Sequence, residues 1–237
     1  MVIGGLQRFS LIDYPDKICA IIFTQGCNFK CSYCHNPELV PLIAYPPRRA
    51  SGGQTIIPEE EIFSFLQKRQ GKLDAVEVTG GEPTLQSDLL EFLQRIKKLG
   101  YLIKLDSNGS NPAMLKRAVQ LKIIDYLALD VKAPLGKYEK IVKVKVNINR
   151  IEESIKLIMH SGLNYEFRTT IVQSQLTPDD VVRIGKLLKG AKKYVLQKFV
   201  PAKTLDKKFL QEKPYSDEEL TSLRDKIKGY VAECLIR

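Results

Sequence analysis

One stretch decides how the chain folds: Ile18-Cys-Ala-Ile-Ile-Phe-Thr24, followed by Gln-Gly-Cys27-Asn-Phe-Lys-Cys31-Ser-Tyr-Cys34. Its first seven residues are a short apolar run, which is typical of a buried strand in a parallel sheet. Each iron of a tetranuclear iron–sulfur cluster needs one thiolate. Cys27, Cys31 and Cys34 would therefore bind three irons and leave the fourth open to a reacting ligand.

Two other roles of these cysteines, disulfide pairing and structural zinc binding, are less well supported by the sequence. Disulfide pairing of all five cysteines would leave one over, and residues 1–11 lack the basic start and apolar core of a secretory signal. Reduced thiols in a cytoplasmic protein are expected. A structural zinc site usually takes four ligands in two separated pairs, and His35 is badly placed to be the fourth. The spacing favours an open-site cluster but does not exclude zinc.

The composition of the 237-residue chain limits the kinds of protein it can be. A hydrophobic content of 44% is enough to form a full core. No apolar run approaches the ~20 residues needed to cross a bilayer, so no membrane association is expected. The formal net charge of +10 would attract a polyanion, which includes nucleic acid and acidic proteins. Charge alone does not decide between these partners.

Hydrophobic periodicity predicts strands that alternate with helices. The predicted strands are residues 18–24, 75–79, 102–107, 126–130, 165–172 and 194–199. The predicted helices are residues 58–70, 89–99, 112–121, 151–160, one that begins at Thr177, and a last one from Ser216 through Cys234. This order indicates one parallel α/β unit, either a barrel or an open sheet.

Polar residues stand at the end of every predicted strand, where parallel α/β folds bind their ligands. Besides the three cysteines, these candidates are Gly80, Gly81 and Glu82; Asp106, Ser107 and Asn108; Asp130 and Lys132; Arg168 and Thr170; and Gln197. Loop residues placed at random would not line up in this way.

The cysteine pattern CxxxCxΦC, with Gly80-Gly81-Glu82-Pro83 one strand later, resembles the radical S-adenosylmethionine (SAM) family. The segment from Gly4 to Pro15 and the segment Tyr33-Cys34-His35-Asn36-Pro37 resemble the activating proteins of glycyl radical enzymes, in particular those of anaerobic ribonucleotide reductase. The resemblance implies a partial (β/α)6 TIM-like barrel. It also implies a single domain over residues 1–237, with a core over 16–200 and a C-terminal connection and helix over 201–237.

A member of this family would carry a [4Fe–4S] cluster on the three cysteines and bind SAM at the open iron. One electron from the cluster would cleave SAM to methionine and a 5′-deoxyadenosyl radical. The backbone at Gly80 and Gly81 would approach the methionine moiety closely, and Glu82 would accept a hydrogen bond from its ammonium group. Alone, the two glycines are equally compatible with a simple turn.

Two further strand ends match cofactor-binding positions of the family. Asp106, Ser107 and Asp130 match positions that hold a monovalent cation in the pyruvate formate-lyase activating enzyme. Lys132 would meet the carboxylate of SAM. The alternatives are a turn over residues 106–109, which includes the candidate Asn108, and a simple ion pair between Asp130 and Lys132.

The remaining candidates lie where the family binds adenine and ribose. They are Arg168, Thr170, Gln197 and Phe199, together with Tyr33, which would border the adenine or pack on the cysteine loop. Strand residues of this kind often only satisfy their neighbours inside a barrel. Cys19 and Cys234 are interpreted as small buried or incidental residues.

The resemblance predicts an oxidoreductase whose substrate is a partner protein, a glycyl radical enzyme. Basic residues over 132–150 and 186–208 would bind an acidic electron donor, flavodoxin or ferredoxin. Nucleic acid is not favoured, because no recognised RNA-binding module is present. The alternatives are a small-molecule enzyme such as carboxy-deazaguanine synthase and a non-enzymatic iron–sulfur or zinc protein. The loop over 41–55 would be a partner contact or a flexible excursion.

Overall fold

The computed structural model of the protein describes residues 1–41 and 56–237, so the predicted loop over 41–55 lies outside the described residues except for Pro41. The strands are β1 (Ile3–Ser10), β2 (Cys19–Thr24), β3 (Ala75–Gly80), β4 (Leu102–Ser107), β5 (Tyr126–Asp130), β6 (Asn164–Ile171), β7 (Lys193–Lys198) and β8 (Glu233–Ile236). The α-helices are α1 (Glu59–Arg69), α2 (Leu89–Lys98), α3 (Pro112–Gln120), α4 (Tyr138–Val142), α5 (Ile148–Met159), α6 (Pro178–Leu187) and α7 (Asp217–Ile227).

The strands follow one another through the sheet in chain order, from β1 to β8. β1 is antiparallel to β2, whereas β2 with β3, β3 with β4, β6 with β7 and β7 with β8 are parallel. The alternation of helices with parallel strands confirms the predicted α/β class. The carboxyl ends of such strands are the usual place for ligands, and most of the candidate residues stand there.

Two strands at the ends of the sheet were not predicted. β1 begins with Ile3-Gly4-Gly5, and glycines weaken the strand signal, yet it pairs with the apolar β2. The prediction of a helix from Ser216 through Cys234 was wrong at its C-terminal end. α7 stops at Ile227 shortly before Gly229, and Cys234 lies in β8, paired with β7. Four residues are too few for periodicity to reveal a strand.

Two helices begin at reciprocal capping boxes, and both start where the sequence predicts, at Thr177 and at Ser216. The Thr177 hydroxyl accepts from the Asp180 amide, and the Asp180 carboxylate accepts from the Thr177 amide. Ser216 and Glu219 do the same for α7. Each arrangement satisfies amides that a helix start would otherwise leave unbonded, which is worth about 1 kcal/mol.

The chain divides into two compact units. The first unit contains residues 1–28, 38–107 and 113–127, and the second contains residues 29–37, 108–112 and 128–237. The expectation of a single domain stays a prediction. No helix in the described part of the chain combines the length and apolarity needed to span a bilayer.

The first unit has an apolar cluster near the amino ends of its strands. Its buried members are Tyr14, Cys19, Ile21, Ala75 and Tyr126, and the Tyr14 and Tyr126 rings lie 5.7 Å apart. Burial raises the pKa of the Cys19 thiol to about 11. Cys19 is therefore a core residue, in keeping with its interpretation from the sequence.

Candidate functional site

In the first unit, the glycine pair at the end of β3, Gly80 and Gly81, is packed against the backbone that leads into the cysteine loop. The Gly81 amide donates to the Thr24 carbonyl at 2.9 Å. A Cβ atom at Gly81 would stand 2.1 Å from the Gly26 carbonyl oxygen, and one at Gly80 would stand 2.3 Å from the Thr24 amide nitrogen. Gly80 also has a φ of +122°, which other residues rarely adopt. Only glycine fits at either position.

The start of the cysteine loop is held by backbone hydrogen bonds within the same unit. The Gly26 amide donates to the Leu39 carbonyl at 2.8 Å, and the Cys27 amide donates to the Val40 carbonyl at 3.1 Å. The Glu82 amide donates to the Gly26 carbonyl at 2.8 Å. Cys27 is therefore fixed by the segment that follows the loop and by the glycine-rich turn after β3.

The Glu82 carboxylate has a structural role that was not predicted from the sequence. It is buried, and its Oε1 accepts from the Thr84 amide at 3.1 Å, from the Thr84 hydroxyl, and from the Ser107 hydroxyl at 2.9 Å. These bonds fix the short turn after Glu82 and tie it to the end of β4. The contact of Glu82 with the ammonium group of SAM stays a prediction.

Asp106, the expected cation ligand, is paired with a buried lysine that was not among the candidates. The Lys104 ammonium lies 2.8 Å from Asp106 Oδ1 and 3.0 Å from Glu77 Oε2, and its side chain is 1% exposed. Lys104 and Asp106 share one face of β4 because they are two residues apart. An ammonium group of the chain itself therefore occupies this side of the Asp106 carboxylate.

The rest of the cysteine loop, residues 29–37, lies in the second unit. At its start, the Phe29 ring meets the Tyr138 ring edge-on with centroids 6.2 Å apart. The Lys30 amide donates to the Val142 carbonyl at 2.9 Å. The short helix α4 therefore supports this part of the loop.

The end of the loop is held by the segment that follows β7. The His35 ring stacks on the Phe199 ring, with centroids 5.5 Å apart and planes 7° from parallel, and His35 Nε2 lies 3.0 Å from the Val200 carbonyl. The Asp206 amide donates to the Ser32 carbonyl at 2.9 Å. Phe199, expected near adenine, is thus a buried support of the loop.

Cys31 and Cys34 occupy one turn, in which the Cys34 amide donates to the Cys31 carbonyl at 3.0 Å. Burial raises the pKa of the Cys31 thiol to about 11. Over residues 1–41 and 56–237, no three His, Cys, Asp or Glu side chains are grouped so that one metal ion could bind them. A tetranuclear cluster needs no such group, because each thiolate binds a different iron.

Tyr33, between these two cysteines, has a buried hydroxyl without a hydrogen-bond partner among the described residues. The residue is 4% exposed, and its charged and polar neighbours include Cys31, Lys132, Asp130 and Tyr138. A buried hydroxyl that bonds nothing costs about 1–3 kcal/mol. A sulfur-rich or polar cofactor bound at this loop would supply the missing acceptor, so the loop fits a cluster.

Tyr33→Phe is expected to raise the free energy of unfolding of the cluster-free protein by about 1 kcal/mol, because it removes an unsatisfied group. In the cluster-loaded protein the gain should disappear. Urea denaturation of both forms measures the difference. Tyr215→Phe is the matched control: its hydroxyl donates to the Leu176 carbonyl at 3.0 Å, so its loss should destabilise both forms. An equal gain in both forms of Tyr33→Phe would contradict the assignment.

Asp130 bridges two cations at the end of β5. Its Oδ2 lies 2.9 Å from the Lys132 ammonium and its Oδ1 lies 2.9 Å from Arg168 Nε. The Tyr138 hydroxyl accepts from the Lys132 amide at 3.2 Å. Burial alone would lower the pKa of the Lys132 ammonium, but the Asp130 carboxylate raises it well above its usual range. Lys132 is therefore held as a cation beside Asp130, and its contact with the carboxylate of SAM stays a prediction.

The structure gives less information about the remaining candidate residues. The Asn108 side chain accepts from the Ser110 amide at 3.0 Å, which is the turn that the sequence left open as the alternative. Gln197 is half-buried and lies opposite Thr170 in the β6–β7 pairing. Cys234 lies in β8, and burial raises its thiol pKa to about 11.

The candidates fall into two groups when each unit is taken by itself. The first unit brings together Gly80, Gly81, Glu82 and Ser107 near Cys27 through the hydrogen bonds above. The second unit brings together Cys31, Tyr33, Lys132, Asp130 and Arg168. The ligand roles of Asn108, Thr170 and Gln197 stay predictions.

Residues 21–195 match the Radical SAM superfamily. The chain belongs to this superfamily, and it is therefore an enzyme that uses a [4Fe–4S] cluster and SAM.

Three relatives show which kinds of radical SAM enzyme this chain resembles. A protein of Methanocaldococcus jannaschii, provisionally named a glycyl-radical enzyme activating enzyme, is 34% identical over 100% of this chain and 95% of its own length. The 7-carboxy-7-deazaguanine synthase of Thermococcus kodakarensis is 26% identical over 78% of this chain and 76% of its own length. The pyruvate formate-lyase-activating enzyme of Clostridium pasteurianum is 25% identical over 86% of this chain and 84% of its own length.

A solved structure confirms the fold. Streptococcus suis SuiB, bound to its precursor peptide SuiA, superposes with a TM-score of 0.63 at 14% identity. The match covers 91% of this chain and 47% of SuiB. The eight-stranded sheet thus corresponds to the partial barrel of radical SAM proteins.

Proposed function

We propose that this protein is an activating enzyme that generates a glycyl radical on a partner enzyme, with anaerobic ribonucleotide reductase as the partner. The observation that carries the proposal is the 34% identity to an activating enzyme over the whole of this chain. The segment Tyr33-Cys34-His35-Asn36-Pro37 is further support. In this function the hydrogen atom is removed from a glycine of the partner, so the substrate is a protein.

We infer that Cys27, Cys31 and Cys34 are the cluster ligands. When bound, the reduced cluster supplies the electron for cleavage of SAM, whose radical product takes a hydrogen atom from the target glycine. The chain's own groups bind and orient. Lys132, held by Asp130, would pair with the carboxylate of SAM, and the backbone at Gly81 would face its methionine part.

An acidic electron carrier, flavodoxin or ferredoxin, is the proposed electron donor. The segment after β7 is hydrogen-bonded to the cysteine loop, and it exposes Val200 (56%), Leu205 (37%) and Leu210 (41%). Exposed lysines 203, 207 and 208 flank these apolar side chains. Such a surface, apolar with a cationic rim, would bind an acidic protein close to the loop that holds the cluster.

The test is anaerobic incubation of the reconstituted, reduced protein with SAM and purified candidate glycyl radical enzymes. We expect a glycyl signal by electron paramagnetic resonance (EPR) with one partner, together with formation of 5′-deoxyadenosine. A partner in which the target glycine is replaced by alanine is the control and should give no signal. Cleavage of SAM without a glycyl signal on any candidate would contradict the proposal.

A second candidate function rests on the Thermococcus kodakarensis relative, which covers 78% of this chain. The protein would then act on a small molecule and form 7-carboxy-7-deazaguanine. Mass spectrometry of the products would reveal this compound in the absence of any partner protein. Its formation would replace the activating-enzyme proposal.

A further inference from the structure

Five charged side chains form a continuous row through the second unit, from the end of β5 to the end of β8. Lys132 pairs with Asp130 at 2.9 Å, and Asp130 pairs with Arg168 Nε at 2.9 Å. Arg168 Nη1 lies 3.9 Å from Glu166 Oε1. Glu166 in turn receives Nη1 and Nη2 of Arg237, both at 3.0 Å. Cations and carboxylates alternate along the whole row.

The centre of this row is buried, so each of its charges needs a partner of opposite charge. The Glu166 side chain is 0% exposed and that of Arg168 is 12% exposed. A buried carboxylate must be paired, because its charge is otherwise very costly to remove from water. Glu166 meets this requirement with the forked, bidentate contact from Arg237 at 3.0 Å, which is shorter than its 3.9 Å contact with Arg168.

The backbone fixes the positions of Arg168 and Arg237, which both contact Glu166. Glu166 and Arg168 are two residues apart on β6 and therefore share one face of the sheet. The Arg237 amide donates to the Leu196 carbonyl at 3.0 Å, and its carbonyl accepts from the Lys198 amide at 2.7 Å. Arg237 is thus anchored on β7 directly after β8, which lies beyond the residues that match the superfamily.

We propose that Arg237 is a positioning residue for SAM, acting through Glu166, Arg168 and Asp130 on Lys132. By saturating Glu166, Arg237 leaves Arg168 to pair with Asp130. Without Arg237, the buried Glu166 carboxylate would draw the Arg168 guanidinium to itself. Asp130 would then lose its contact with Arg168 and hold the ammonium group of Lys132 more tightly, at the expense of the carboxylate of SAM.

This inference rests on the proposed contact of Lys132 with SAM, and it is tested by binding rather than by glycyl radical formation. In the cluster-loaded protein, Arg237→Ala is expected to raise the dissociation constant of SAM by about tenfold in anaerobic calorimetry. The EPR spectrum of the reduced cluster should need correspondingly more SAM to reach its SAM-bound form. Lys193→Ala is the matched control: it removes an ion pair with Glu233 of β8 outside the row and should leave SAM binding unchanged.

The decisive variant is the double replacement Arg237→Ala with Glu166→Gln. It removes the charge that competes for Arg168, so SAM affinity should return to within about twofold of the original. A residue that only stabilised the fold would leave the SAM affinity of the folded protein unchanged, so the single and double variants would then differ in stability and not in their dissociation constants. Arg237→Lys keeps the positive charge but loses the bidentate contact with Glu166, and it should raise the dissociation constant of SAM by about threefold.

The inference is overturned if Arg237→Ala binds SAM as tightly as the original protein, or if the double variant binds no better than the single one. Should Arg237→Ala fail to fold, Arg237→Lys and the double variant decide in the same way: unchanged affinity in the first, or lasting weak affinity in the second, overturns it. A protein that binds SAM as expected but activates no glycyl radical enzyme would contradict only the proposed function.

Discussion

Replacement of Cys31 by alanine is expected to abolish both cluster assembly and cleavage of SAM. Three thiolates are the minimum set for a cube that keeps one iron open, so loss of one leaves two irons without protein ligands. No other cysteine is placed to substitute, because Cys19 is in the core of the first unit and Cys234 is in β8. Iron and sulfide content after anaerobic reconstitution, with 5′-deoxyadenosine formation, measures the effect.

Cys234→Ala is the control for this variant. Cys234 is half-buried and lies in β8, so its replacement removes one thiol and leaves the sequence of the cysteine loop unchanged. The control should keep its cluster and its activity. A Cys31→Ala protein with a full complement of iron and normal SAM cleavage would refute the assignment of the cysteine loop.

Gly81→Ala is expected to have the second large effect, on stability and on cluster assembly together. The added methyl group would lie 2.1 Å from the Gly26 carbonyl oxygen and 2.9 Å from the Leu39 carbonyl oxygen. Both obstacles are backbone atoms, which cannot rotate away as a side chain can. We expect the free energy of unfolding to fall by roughly 3 kcal/mol or more, and the turn that precedes Cys27 to be displaced.

Urea denaturation and iron content measure this prediction. Gly136→Ala provides a matched control, since a Cβ there meets no atom within 4 Å. Its stability should change by less than about 0.5 kcal/mol, the usual range for an exposed site. Gly81→Ala with unchanged stability and a complete cluster would show that the backbone at Gly26 yields easily, contrary to its hydrogen bonds.

The sequence predicted the elements with strong local signals. The six predicted strands are all strands of the sheet, and Thr177 and Ser216, at which helices were predicted to begin, cap α6 and α7. It did not predict β1 or β8. Their assignment depends on pairing with a neighbouring strand, and pairing is a tertiary interaction that a local pattern does not contain.

The candidate site shows the same division. Periodicity and strand ends identified which residues are candidates for the chemistry, because position along a parallel strand determines which edge of the sheet a residue reaches. They did not identify the partners of those residues. Ser107 with Glu82, Lys104 with Asp106, and Arg237 with Glu166 are pairs brought together by folding, and only the spacing of Lys104 and Asp106 gave any local signal.

β8 has a consequence for aggregation as well. It is the last strand in the order of the sheet, and a strand in that position offers unpaired amides and carbonyls to other chains. β8 is only four residues long, and it carries Glu233, paired with Lys193, on its exposed side. Because the edge strand is short and carries a charged side chain, a strand of a neighbouring molecule can form few hydrogen bonds with it. During expression at high concentration, an intact β8 should therefore limit edge-to-edge association of the sheet.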